Sequence, residues 1–132
     1  MQNFRGETMK IKIKDLLWSL KNIEHEKYEL ELVKWLVSIG HFSLEQEVSL
    51  DWQREIPQEL QEKFRHSQDY DVLVFGNKVW LIYEKVSYHE AKRICSDSRT
   101  KGDNWFAGFS IHGQYKDIPR GHELSVKPRE VS

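Results

Sequence analysis

A chain of 132 residues, 39% hydrophobic and 31% charged, can bury a core and is too rich in large side chains to stay disordered. Its formal net charge of −1 excludes an overall basic footprint for nucleic acid and leaves only a local patch. Cys95 is the only cysteine, which excludes an intrachain disulfide and a cysteine-based zinc site and points to a reducing, cytoplasmic setting.

The opening "MQNFRGET" is polar and unpatterned and reads as a frayed end over residues 1–8. "MKIKIK" alternates apolar and basic residues, either as a strand with three lysines on one face or as a lead into a helix near Asp15. From Asp15 the spacing predicts helix, with Leu16, Leu20 and Ile23 in one stripe and Tyr28, Leu32, Trp35 and Ile39 continuing it. The polar residues 24–27 are a point where this helix divides, and Gly40 is its natural stop.

"HFSLEQEVSLDW" alternates as a half-buried strand, with Gln46 a polar residue on the inner set. Residues 53–68 read as a short, mostly solvated helix behind Pro57. Asp71 to Phe75 and Val79 to Tyr83 are strands joined by a turn at "GNK", apolar on both faces as central strands are. Ser87 caps a helix from Tyr88 to about Ser98, with Glu90 at capping-box spacing. "WFAGFSI" is a last strand. From residue 113 to 132, Gly113, Pro119, Gly121 and Pro128 suggest a loosely structured end. The expectation is one domain over residues 1–132, with its core at about 15–112 and α/β layering of helices on a mixed central sheet. No apolar run approaches the ~20 residues that cross a bilayer, so no membrane partner is expected.

In this order, "YELELVKWLVSIGHF", "YDVLVFGNKVWLIYEK" and "SYHEAKRICSDSRTKGDNWFAGFSI" resemble the core of the PD-(D/E)XK nuclease superfamily. The resemblance covers roughly residues 24–111 and implies a restriction-endonuclease-like fold of order α-β-β-β-α-β, with a short helix inserted. It implies Mg²⁺-dependent hydrolysis of DNA, in which acids at neighbouring strand ends hold the metal and a lysine positions the attacking water. Carried over, Asp71 is the first metal ligand, Lys85 the lysine and Glu29 the helix acid, with Glu31 the other choice.

The pattern departs at Tyr83, which stands where the family has an acid; a phenol of ordinary pKa near ~10 is a poor Mg²⁺ ligand. Glu84 replaces it only if a β-bulge re-aims it, because alternation points it away; Gln46 or Glu47 is another source of an oxygen.

Blander roles fit the same residues. Asp71 suits a turn, Lys85 a solvated strand end, Glu29 an exposed helix face, and Cys95 a small core side chain. The six histidines show no ligand spacing. A Cys–His catalytic pair has no supporting motif. Lys92, Arg93, Arg99 and Lys101 cluster on the last helix and its exit loop, a set of cations suited to phosphate contacts although acids are interleaved with them.

Three functions follow as expectations. The first is a Mg²⁺-dependent deoxyribonuclease with an altered site. The second is a non-catalytic relative that binds DNA or a protein partner in a mobile-element, phage or defence system. The third is an interaction module such as an immunity protein. Short chains of this family commonly pair, so a homodimer is also expected.

Overall fold

A computed structural model describes residues 9–23 and 26–129. The expectation for residues 1–8 falls outside the described residues, as do positions 24 and 25. The chain divides into two compact units, Met1–Phe64 and Arg65–Ser132. It is an α/β protein, and no helix among the described residues is long and apolar enough to cross a membrane.

In the first unit, strand β1 (Lys10–Lys12) runs directly into helix α1 (Ile13–Lys21), so both readings of "MKIKIK" hold in part. No side chain caps α1. Instead its first amides are satisfied by a neighbouring segment: Ile13 N donates to Gln46 O at 2.8 Å and Lys14 N to Leu44 O at 3.0 Å. Leu16 and Leu20 are buried, while Ile23, beyond the helix end, is 53% exposed. Helix α2 (Lys27–Ser38) ends on Gly40 at φ 82, with Gly40 N to Val37 O and His41 N to Leu36 O. This is the left-handed stop anticipated from the glycine.

The long strand expected from residue 42 contracts to β2 (Glu47–Ser49), which pairs antiparallel with β1. Gln46 is the cause. Its side chain accepts from Ser43 N at 3.1 Å and its own N–H donates to Ser43 O, closing a turn where a strand would run straight. Beyond a 3-10 turn at Trp52–Glu55, helix α3 (Gln58–Ser67) follows Pro57. Its Phe64 is fully buried, with Tyr28 edge-on at 5.3 Å and Trp35 at 5.6 Å.

In the second unit, β3 (Tyr70–Phe75), β4 (Val79–Val86) and β5 (Phe106–Ile111) form a sheet in the order β4-β3-β5, every pair antiparallel. Helix α4 (Tyr88–Ser96) makes the crossover that lets β4 and β5 run the same way on either side of β3. Ser87 caps it as expected, accepting from Glu90 N at 3.2 Å.

The expected single mixed sheet is therefore replaced by two small antiparallel sheets. β2 takes β1 as its partner, and β5 joins β3 on the side away from β4.

The segment after residue 112 is not loose as far as residue 129. Leu81 N donates to Pro119 O and Gly121 N to Leu81 O, both at 2.8 Å, giving a parallel bridge along β4. Further on, the Tyr83 hydroxyl donates to Val126 O at 3.0 Å and accepts from Leu124 N at 3.0 Å. Arg93 reaches Lys127 O at 2.7 Å, and Val126 is buried. The glycines and prolines that suggested disorder instead shape a strap, because a strap beside a strand edge needs its N–H and C=O groups turned inward only at intervals.

Burial pushes the Tyr83 phenol up from its ordinary value. The folded state thus holds this proton more tightly than the unfolded chain, so the strap's contribution is complete below pH ~10 and is lost as pH rises past that value. Tyr83→Phe is expected to lower the unfolding free energy by about 1–2 kcal/mol. The substitution should also remove the part of the alkaline loss that belongs to this hydroxyl, read from urea denaturation between pH 8 and 11. Equal alkaline losses in the two proteins would show that the hydroxyl does not hold the strap.

Candidate functional site

Asp71 opens β3 and is only 5% exposed. Its Oδ1 accepts from Lys85 N at 3.1 Å and lies 2.8 Å from His112 Nδ1; its Oδ2 accepts from Gly113 N at 3.1 Å. One carboxylate thus fastens the end of β4 and the exit of β5 to the start of β3. Because a carboxylate only accepts when ionised, the Nδ1 proton of His112 belongs in that contact, which fixes the ring.

The local backbone explains the arrangement. Tyr70 pairs with Val86 and Val72 with Tyr83, so Asp71 alone opposes both Glu84 and Lys85. This is a β-bulge, the device that sequence reading left open. Lys85 takes φ 56, a left-handed conformation that costs a side-chain-bearing residue about 1–2 kcal/mol and that the bond from its N–H to Asp71 helps to hold.

Asp71 therefore meets Lys85 through its main-chain N–H, not through the ammonium that the resemblance implies. Lys85 lines a groove of about 590 Å³ with Glu84, Arg120, Glu123, Lys127 and Arg129, and Asp71 does not line that groove.

The other expected ligands are committed elsewhere. Tyr83 stands opposite Val72, which alternates away from Asp71, so the phenol faces the strap and not the carboxylate. Glu84 is re-aimed by the bulge, but its Oε1 pairs with the Arg120 guanidinium at 2.9 Å. Glu29 belongs to the first unit, at the start of α2, where burial pushes its carboxyl up. Glu31 sits between Lys27 at 3.8 Å and Lys34 at 3.5 Å.

Among the described residues no group of three or more His, Cys, Asp or Glu side chains is arranged to hold a metal ion. With Asp71 accepting from three donors and Glu84 in an ion pair, the residues as arranged do not make a fit for Mg²⁺.

Of the four cations expected to meet phosphate, two are tied down. Arg93 pairs with Glu90 at 2.6 Å, and Arg99 grips Asp97 through Nε at 3.0 Å and a second nitrogen at 2.9 Å. That contact holds the Asp97 carboxyl down at about 2. Lys92 lies 5.8 Å over the Tyr88 ring, and Lys101 is exposed; neither has an ion pair among the described residues.

Sequence reading missed His112 and Gly113, and saw Arg120 only as one of the cations of the tail. Only His112 left a signal: pairing the last apolar strand antiparallel with β3 would set residue 112 beside residues 69–71.

Two outcomes test these assignments. Asp71→Ala leaves two half-buried amides without an acceptor and should lower the unfolding free energy by about 2 kcal/mol, whereas Lys85→Gly keeps the N–H and relieves the left-handed strain, shifting it by less than about 1 kcal/mol. Urea denaturation midpoints decide between them; equal losses would mean that the lysine side chain carries the contact. Burial pushes the Cys95 thiol up to about 11, so alkylation at pH 8 should run about a hundredfold slower in the folded protein than after denaturation. A fast native reaction would reopen the Cys–His pair.

No protein-family model, no curated protein and no solved structure matches the chain.

Proposed function

We propose that this chain is a non-catalytic nucleic-acid-binding protein. The carrying observation is the commitment of Asp71, Tyr83 and Glu84 to hydrogen bonds and an ion pair inside the second unit. Phosphodiester hydrolysis of the expected kind needs at least two oxygen ligands open to a metal, and these residues are otherwise engaged. The restriction-endonuclease-like resemblance is kept for the hairpin, the helix after it and the last strand, with the role of these elements changed from cleaving to binding.

DNA is favoured as the partner by cations that the fold leaves without ion pairs among the described residues, Lys85, Lys92 and Lys101. Such lysines act as mobile point charges toward phosphate, each releasing counterions on contact.

A second reading rests on a different observation. In the first unit Trp18 is 69% exposed, Leu50 60% and Leu44 48%, apolar area of the kind that protein partners cover. A protein partner or a second copy of the chain would use that area.

Supercoiled plasmid incubated with the protein and Mg²⁺ or Mn²⁺ is expected to remain intact, while a duplex gel shift appears at low salt and fades steeply as salt rises. Lys92→Glu with Lys101→Glu should weaken the shift about tenfold and lower the salt slope by one to two. Nicking that disappears in Asp71→Asn would restore the catalytic reading. No shift at any salt would leave the protein-partner reading in possession.

A further inference from the structure

At the turn end of the sheet in the second unit, two adjoining hollows share Val74, Trp80 and Trp105 as walls. One, of about 430 Å³, is rimmed by Asn77, Lys78 and Asn104. The other, of about 360 Å³, runs on toward Arg120, His122 and Leu124 of the strap. Together they make a trough with indole walls, the amide side chains and Lys78 at one end, and Arg120, already paired with Glu84, at the other. Each hollow is at the small end of the ~300–1,000 Å³ of ligand pockets, a size suited to one planar ring rather than a bulky group.

The indoles are held in place by backbone that comes too close for any side chain. A Cβ built at Gly121 would stand 2.8 Å from Trp80 Cβ, and one at Gly102 would stand 1.9 Å from Trp105 Nε1. The hairpin turn closes on the same loop, because a Cβ at Gly76 would meet Asn104 O at 3.3 Å. Trp80 nevertheless keeps 36% of its surface exposed. An indole fixed by glycines and still open to water is pre-organised, so a ligand ring meets it without an ordering cost.

Charge completes the picture. Lys78 Nζ stands 5.8 Å over the Trp80 ring, and Glu123, the acid of the trough, is answered by Lys127 at 3.2 Å.

We infer that the Trp80–Trp105 trough takes the bases of a single-stranded nucleic acid, stacking on the indoles while Lys78 meets the backbone at the turn end. This rests on the nucleic-acid reading above and narrows it. Stacking on aromatic faces beside cations is how unpaired strands are held without sequence readout, and the amides of Asn77 and Asn104 can both donate to and accept from base edges. A paired duplex, whose bases are already stacked, cannot use such walls.

The test uses the whole chain, a labelled oligothymidine of eight nucleotides, and a duplex of equal length. Wild type should bind the single strand more tightly than the duplex and show quenched tryptophan fluorescence. Trp80→Ala should weaken single-strand binding about tenfold and leave duplex binding unchanged, with Trp80→Phe restoring most of the loss. Lys78→Glu, an exposed change that leaves Trp80 in place, should also weaken the single strand and secures the test if Trp80→Ala proves unstable by circular dichroism. Duplex binding without single-strand binding, or equal losses on both in Trp80→Ala, would overturn this inference while the broader reading stands. Binding of neither oligonucleotide would overturn both, and quenching by a proline-rich peptide alone would give the trough to a protein ligand.

Discussion

A carboxylate taken almost wholly out of water is costly unless donors replace the water it loses, and Asp71 obtains those donors from three separate places in the chain. Two are main-chain amides, of Lys85 and Gly113, and the third is a histidine ring. The second unit depends on this contact because its three strands meet there. The start of β3 lies between the end of β4 and the exit of β5, and antiparallel pairing alone does not close a sheet at such an end. The charge is tolerated because it does the work of a cap for two strand ends at once.

The bulge follows from the same constraint. For Lys85 N to reach Asp71 Oδ1, the chain must insert an extra residue opposite it, and Lys85 pays with a left-handed conformation that few side chains adopt. Two residues earlier, Tyr83 is thereby turned to the other face, where its hydroxyl becomes the anchor of the strap. The strap in turn brings Arg120 to Glu84 and Gly121 beneath Trp80. A single buried acid, a bulge, a phenol and a strap thus form one chain of causes. At its far end lies the indole trough.

Local elements were legible where a side chain near in sequence sets them. Gly40 stopped α2 because only a left-handed residue closes that helix end, and Ser87 capped α4 because its hydroxyl reaches Glu90 N within one turn. The hairpin of β3 and β4 was legible from its apolar runs and turn. Gln46 misled because periodicity reads its position and not its side chain, which turned back on Ser43. The strap misled because glycine and proline mark irregular backbone, and irregular backbone can be as firmly bonded as a strand.

The amino-acid order by itself determined an α/β chain, a central hairpin with an acid at one end and a lysine at the other, and the helix that follows it. These depend on neighbours within a few residues, where spacing and capping chemistry leave few choices. Only the tertiary structure decided that Asp71 spends its oxygens on Lys85, His112 and Gly113, that Tyr83 faces the strap, and that Trp80 and Trp105 share a trough. Each of those outcomes joins residues far apart along the chain, and a side chain's role is settled by whichever donor or acceptor the fold brings within 3 Å or so of it.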